Sequence, residues 1–245
     1  MLAGNLLIVP NDQKAPSSII ALNKDSGEIA WKTSDRAFRE TSYSTPMLIQ
    51  GPDGRDQLVC ISGATGVTGL DPTNGSMLWG SGEMPQRTVA SPIYGGGVVI
   101  ALSGQGGRGK YMVAVEPGAK GRESNIRYTH DRDLPYVPTP VVHEGRVYLW
   151  LDNGVVSCID LASGEVVETQ RIGGNFSGSP ILIDGKLYCI SEQGEVVVVE
   201  ATPELQVLGR SPLGDESYST PAVAGDRVYL RGFHKLACLK ARTSN

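Results

Sequence analysis

Two stretches of this chain are copies of one pattern. Ala21-Leu22-Asn23-Lys24-Asp25-Ser26-Gly27-Glu28-Ile29-Ala30-Trp31 returns as Gly69-Leu70-Asp71-Pro72-Thr73-Asn74-Gly75-Ser76-Met77-Leu78-Trp79, 48 residues from one tryptophan to the other. In each copy a small, an apolar and a polar residue lead into a turn ending in Gly, and an apolar run closes on Trp. That reads as strand, turn, strand. A fixed period of about 40 to 50 residues constrains the architecture first, because each unit buries its apolar faces only against its neighbours.

A second landmark repeats with the first. Ser44-Thr45-Pro46, Ala90-Ser91-Pro92, Pro138-Thr139-Pro140, Gly178-Ser179-Pro180 and Ser219-Thr220-Pro221 place prolines at spacings of 46, 48, 40 and 41. Each opens a largely apolar strand, and Pro at a strand's first position removes no ladder donor. Glu144-Gly145, Asp184-Gly185 and Gly225-Asp226 then sit between β-branched runs, a hairpin signal. A third strand carries the small–apolar–polar triplet, as in Cys158-Ile159-Asp160, Val198-Val199-Glu200 and Cys238-Leu239-Lys240. The fourth closes at Trp31 or Trp79, with Glu168 or Leu208 in weaker copies.

Each unit is therefore a four-stranded antiparallel meander. The landmarks predict an all-β chain, a single β-propeller domain over 1–245 with about five to six blade units. These are a partial unit at 4–33, blades at 44–82, 90–130, 138–173 and 178–212, and a partial unit at 219–241. Repeated meanders at this period are the signature of propeller blades. Repetition of the Trp at one position marks it as packing: on the outermost strand its face covers the turn and the neighbouring blade. Gly27, Trp31, Gly75 and Trp79 form this docking motif, the glycines supplying the backbone freedom the turn needs.

Composition narrows the function classes. The chain has 245 residues, 31 Gly, 15 Pro and a net charge of −4 from 22 basic and 26 acidic residues. No Lys/Arg-rich run marks a nucleic-acid partner, and no apolar run nears the roughly 18 residues of a spanning helix. Met1–Pro10 lacks the basic n-region of a signal peptide. Cys60, Cys158, Cys189 and Cys238 each lie among apolar residues without CxxC spacing, so buried core thiols are expected and a metal site is not.

Gly104-Gln105-Gly106-Gly107-Arg108-Gly109 satisfies GxGxxG, but a strand follows where a dinucleotide site needs a helix N-terminus. It reads as a hairpin loop. His130, with Asp131 and Asp133, falls in a segment joining two blades and reads as a solvated linker. His143 and His234 have no Ser or Cys elbow beside them, so no nucleophile–base–orienter set emerges and no catalytic residue is expected.

The A-x-D-x-x-x-G-x-x-x-W pattern with S/T-P strand openings resembles the tryptophan-docking motif of PQQ-like β-propeller repeat proteins. That superfamily includes quinoprotein alcohol dehydrogenases and the propeller lipoprotein of outer-membrane assembly machinery. More narrowly, Tyr136–Pro140, Gly174–Pro180 and Pro203–Leu208 resemble a bacterial, planctomycete-type group of exported repeat proteins. The resemblance implies about eight blades, with an N-terminal segment supplying the last blade's outer strand. Here the first unit shows no innermost strand and the last no outermost one, so an N-terminally shortened propeller is expected.

The resemblance also implies what to look for. Quinoprotein dehydrogenases carry adjacent cysteines and an Asp/Glu/Asn set around calcium. No two cysteines are adjacent here, so neither PQQ nor another cofactor is expected. Propeller function sits on residues before the innermost strand and on connecting loops: Arg39, Glu40, Tyr43, Arg87, Tyr136, Asn175, Phe176, Glu216 and Tyr218. Aromatic and Arg side chains there suit an interaction surface. The expectation is a non-catalytic scaffold for a protein partner or small ligand, in the periplasm or exported in the parent family. The alternatives are a quinoprotein dehydrogenase or the sensor domain of a receptor-like kinase.

Overall fold

The computed structural model describes residues 1–13, 16–34, 36–37, 39–106, 108–119 and 123–240. They form six antiparallel sheets, five of four strands and one of three. Blade 1 holds β1 (Leu2–Ala3), β2 (Leu6–Asn11), β3 (Ser18–Asn23) and β4 (Ile29–Lys32). Blade 2 holds β5 (Met47–Gln50), β6 (Asp56–Ser62), β7 (Gly66–Leu70) and β8 (Met77–Gly80), and blade 3 β9 (Ile93–Gly95), β10 (Val98–Gln105), β11 (Arg108–Glu116) and β12 (Asn125–His130). Blade 4 holds β13 (Val141–His143), β14 (Arg146–Trp150), β15 (Val155–Asp160) and β16 (Val166–Arg171), and blade 5 β17 (Ile181–Ile183), β18 (Lys186–Ile190), β19 (Glu195–Glu200) and β20 (Val207–Pro212). The last sheet, blade 6, holds β21 (Ala222–Ala224), β22 (Arg227–Arg231) and β23 (Leu236–Lys240). The chain divides into two compact units, Met1–Tyr136 with blades 1 to 3 and Val137–Asn245 with blades 4 to 6.

Three details differ from the sequence reading. Blade 1 does have an innermost strand, the two-residue β1, which pairs Leu2 with Leu7. Each landmark proline precedes its strand by one residue instead of opening it. His130 is the last residue of β12, its ring edge-on to Tyr128 at 5.7 Å, so it belongs to a blade. The glycine-rich segment is the β10–β11 hairpin, with Gln105 opposite Arg108, as read; its Gly107 lies outside the described residues.

The second and third strands are buried on both faces, which explains their nearly continuous apolar runs: Val98 to Leu102 are all buried. In the first unit one core joins Ile8, Ala21 and Trp31 to Leu58, Cys60 and Leu70, and another joins Val59, Val67 and Trp79 to Val99, Ala101 and Val113. In the second unit Tyr148, Trp150, Val156 and Cys158 pack on Leu187, Cys189, Val197 and Val199. Each buried Val or Leu is worth about 1.5–3 kcal/mol.

The turn after the third strand is built the same way in three blades. The Oδ1 of Asn23 accepts the backbone N–H of Asp25 and Ser26, at 2.9 and 3.2 Å. Asp71 caps Thr73 and Asp160 caps Ala162 and Ser163 likewise. The N–H groups of Gly27, Gly75 and Gly164 close each turn onto the carbonyls of Asn23, Asp71 and Asp160, all at 2.8 Å. These glycines have φ of 74 to 78°, where a side chain is strained.

That turn is where blades are fastened. The Trp31 Nε1–H donates to the Pro72 carbonyl at 3.0 Å, and the ring lies on Gly75, whose missing Cβ would come within 2.6 Å of it. Trp79 works through a relay: its Nε1–H donates to Gln57 Oε1 at 2.7 Å, and Gln57 Nε2 donates to the Gly118 carbonyl at 3.0 Å. In blade 4 the Trp position, opposite the first triplet residue, is Glu168. There the buried Tyr148 hydroxyl donates instead to the Ala201 carbonyl, at 2.6 Å. Ala201 follows Glu200 as Pro72 follows Asp71, so the acceptor is the same turn position. The register also corrects blade 5: opposite Val198 stands Gly209, not Leu208, and blade 3 carries Tyr128 opposite Ala114.

The S/T-P landmarks fasten the inner edge. The Thr45 N–H donates to Ser91 Oγ at 3.0 Å, Thr139 N–H to Ser179 Oγ at 2.9 Å, and Ser179 N–H to Thr220 Oγ1 at 2.9 Å. The hydroxyl before each proline thus accepts from the same position one blade earlier.

Candidate interaction surface

The loops joining one blade to the next bond to the hairpin tips between second and third strands, so both lie at one end of each unit. In the first unit, Ser42 N–H donates to the Asp12 carbonyl, Tyr43 N–H to the Thr88 carbonyl and Gly104 N–H to the Arg87 carbonyl, at 2.8 to 3.0 Å. In the second, Phe176 N–H donates to Asp152, Glu192 N–H to Asn175 and Phe233 N–H to Glu216, at 2.8 to 2.9 Å. Backbone pairing holds these loops, leaving their side chains to face outward or inward as each residue dictates.

Four of the residues singled out in the first unit pair or stand free to solvent. Arg87 pairs with Glu40 at 3.2 Å, both about two-thirds buried. Arg39 pairs with Glu83, also at 3.2 Å, and both are exposed, so that pair adds at most about 1 kcal/mol. Tyr43 is 61% exposed. Tyr136 packs its ring edge over Gly104, where an added Cβ would lie 3.1 Å from it. Sequence reasoning missed Arg36, whose guanidinium is buried against Asp12 at 3.3 Å and donates to Thr65 Oγ1 at 2.8 Å. A lone Arg in a loop gives no sign of such a partner 24 residues away.

In the second unit, Asn175 and Glu216 are exposed at loop tips. Phe176 is a correction: it is 1% exposed, edge-on to Trp150 at 5.2 Å, and belongs to the core beneath the loop. Tyr218 is 56% exposed and lies edge-on to Phe233 at 5.2 Å, a pair standing in solvent. Phe233 was missed; a Phe beside Gly232 in a hairpin tip is the signal that could have found it. Beside it, Asp215 accepts from the His234 backbone at 2.6 Å and from Nδ1 at 3.1 Å. The His234 ring's hydrogen bond holds the Asp215 carboxyl below its usual range.

The thiols divide. Cys60, Cys158 and Cys189 are buried, and burial pushes Cys60 up to about 12 and raises Cys158 and Cys189 too. Cys238 on β23 is exposed, against the expectation of four core thiols, because no strand covers that edge among the described residues. Among the described residues no three His, Cys, Asp or Glu side chains converge to hold a metal, so the donor set for a calcium-bound quinone is not assembled. No helix among them is long and apolar enough to cross a membrane.

Comparison with known proteins agrees with this architecture. The family model described as outer membrane protein assembly factor BamB matches residues 2–204. The outer membrane protein assembly factor BamB of Yersinia pestis is 24% identical over 216 residues, which are 84% of this chain and 51% of that protein. The chain therefore spans about half the length of the curated relative it matches. The crystal structure of BamB from Moraxella catarrhalis superposes with a TM-score of 0.63 at 17% identity, covering 98% of this chain and 70% of that one. The computationally designed Ika8 protein gives 0.66 at 11% identity, covering 94% and 65%. At such identities the two structures attest the fold alone. With the family model matching most of its length, this chain belongs to the BamB family of PQQ-like β-propeller repeat proteins.

Proposed function

We propose that the chain is a non-catalytic binding scaffold of the bacterial cell envelope, acting in assembly through protein contacts at its loop-bearing ends. The relatives it matches are named as outer membrane protein assembly factors, which supports an exported, envelope location and protein partners. One observation carries the reading: the exposed Tyr218–Phe233 pair, held on backbone-bonded loops where a partner can bury it. Exposed aromatic side chains of this kind are over-represented among residues that dominate binding energy. Arg39, Glu40, Tyr43, Arg87, Tyr136, Asn175 and Glu216 supply the polar surroundings in their respective units, and Phe176 supports the loop from beneath.

The experiment is a photocrosslinker at position 218 in the source bacterium, with position 77 on the outer turn of blade 2 as control. Crosslinks from 218 to proteins of outer-membrane assembly, lost in the Phe233→Ser variant and absent from 77, are expected. Equal crosslinking from both positions would contradict the reading. So would dye-linked alcohol oxidation by the purified chain on adding PQQ and calcium.

A further inference from the structure

Blade 5 departs from blades 1 and 2 at the residue that fastens them. Its register places Gly209 where Trp31 and Trp79 stand, and a Cβ built on Gly209 meets nothing within 4 Å. The facing row of blade 6, Val228 and Leu239, corresponds to Leu58 and Leu70, which pack against Trp31 in blade 2. Between Tyr188 and Val198 on one side and Val223, Val228 and Leu239 on the other lies an apolar groove of about 880 Å³. It continues the packed contact of Ile190 and Val196 with Leu230, and Val223 and Leu239 are half exposed along it. Asp184 and Asp226 stand at its rim as acceptors for a ring N–H.

We infer that this groove is a docking site for a tryptophan side chain of a partner polypeptide. The chain itself supplies the argument for the occupant: in blade 1 the same register position puts an indole against the same two apolar residues. The wall of the groove is thus of the kind this repeat fills with an indole, and here the indole is not part of the blade. Depth and apolar lining suit a flat ring, and acidic groups at an opening suit its single donor. The source of the ring rests on the scaffold reading above; the groove's preference for an indole does not.

The test uses the whole chain and a pentapeptide, Gly-Gly-Trp-Gly-Gly, beside N-acetyl-L-tryptophanamide and the leucine equivalents of both. Methyl chemical shifts of Val198, Val228 and Leu239 are followed by NMR. Saturable shifts with both tryptophan probes are expected, with the leucine probes weaker by about tenfold or more. The Gly209→Trp variant, supplying its own ring, is expected to lose those shifts and to unfold at a higher temperature. Should that variant fail to fold, Leu239→Glu, at a half-exposed wall, is expected to lose the shifts with the fold kept. Absence of saturable shifts, equal binding of leucine, or binding unchanged in a folded variant would overturn the inference. Binding of the amide without the peptide would overturn the polypeptide source. None of these results bears on crosslinking from position 218, so the two readings fail separately.

Discussion

Blades 1 and 2 in the first unit and blades 4 and 5 in the second solve one packing problem with different residues. In the first, the donor is an indole on the outermost strand, reaching the Pro72 carbonyl over Gly75. In the second, it is a phenol on the second strand, Tyr148, reaching the Ala201 carbonyl, while the outer position is the exposed Glu168. What repeats is the acceptor. A carbonyl at the start of a buried turn needs a donor, and the cost of leaving it without one is about 1–3 kcal/mol. The sequence is free to place that donor on either strand. The glycine requirement follows the donor: Gly75 is needed under a ring, whereas Ala201 and Leu205 tolerate side chains because Tyr148 approaches from the other strand.

Several changes would break or sharpen this contrast. Trp31→Ala removes a buried ring and the donor to Pro72, and should cost about 3–5 kcal/mol by chemical denaturation, with Tyr148→Ala similar in its own unit. Gly75→Ala meets both a φ of 74° and the Trp31 ring, and should cost about 2–3 kcal/mol. Gly164→Ala, whose turn receives no ring at that glycine, should cost less. That difference between two equivalent glycines measures the indole's demand directly.

The smallest effect is electrostatic. The Thr73 hydroxyl bonding to Asp71, and the Ser163 backbone N–H bonding to Asp160, hold both carboxyls below their usual range. Folded pKa values below the unfolded ones mean that their stabilisation is full above about pH 4 and fades as pH falls further. Asp71→Asn, which keeps the turn's acceptor, should flatten part of that acid dependence in a pH series of thermal melts.

Much of the fold was legible because repetition and turn chemistry are local. The Asx-capped turns, the Glu144-Gly145 and Asp184-Gly185 hairpins, and the Trp31 role could be read from spacing and residue type. The two-residue β1 could not, since pairing of Leu2 with Leu7 depends on register and not on propensity. Glu168 and Gly209 hold the Trp position only after a bulge in the third strand is known, which is why Leu208 stood in for Gly209. For the candidate surface, sequence position located the loops but not side-chain direction. Tyr218 and Phe176 occupy loops of the same kind, yet one faces solvent and the other Trp150. The hydroxyls of the S/T-P landmarks were hidden for the same reason: their partners lie one blade away.

The most direct test of the fastening account uses the buried thiols as reporters. Cys60 shares a core with Trp31, and Cys158 and Cys189 share one with Tyr148. Trp31→Phe and Tyr148→Phe each remove a donor and keep an aromatic ring. Thiol labelling of the native protein with site-resolved mass spectrometry would report where each variant opens. The account predicts Cys60 labelling faster by about five- to thirtyfold in Trp31→Phe, with Cys158 and Cys189 unchanged, and the reverse in Tyr148→Phe. Labelling rates that stay unchanged in both variants, or that rise together at all three thiols in each, would contradict it.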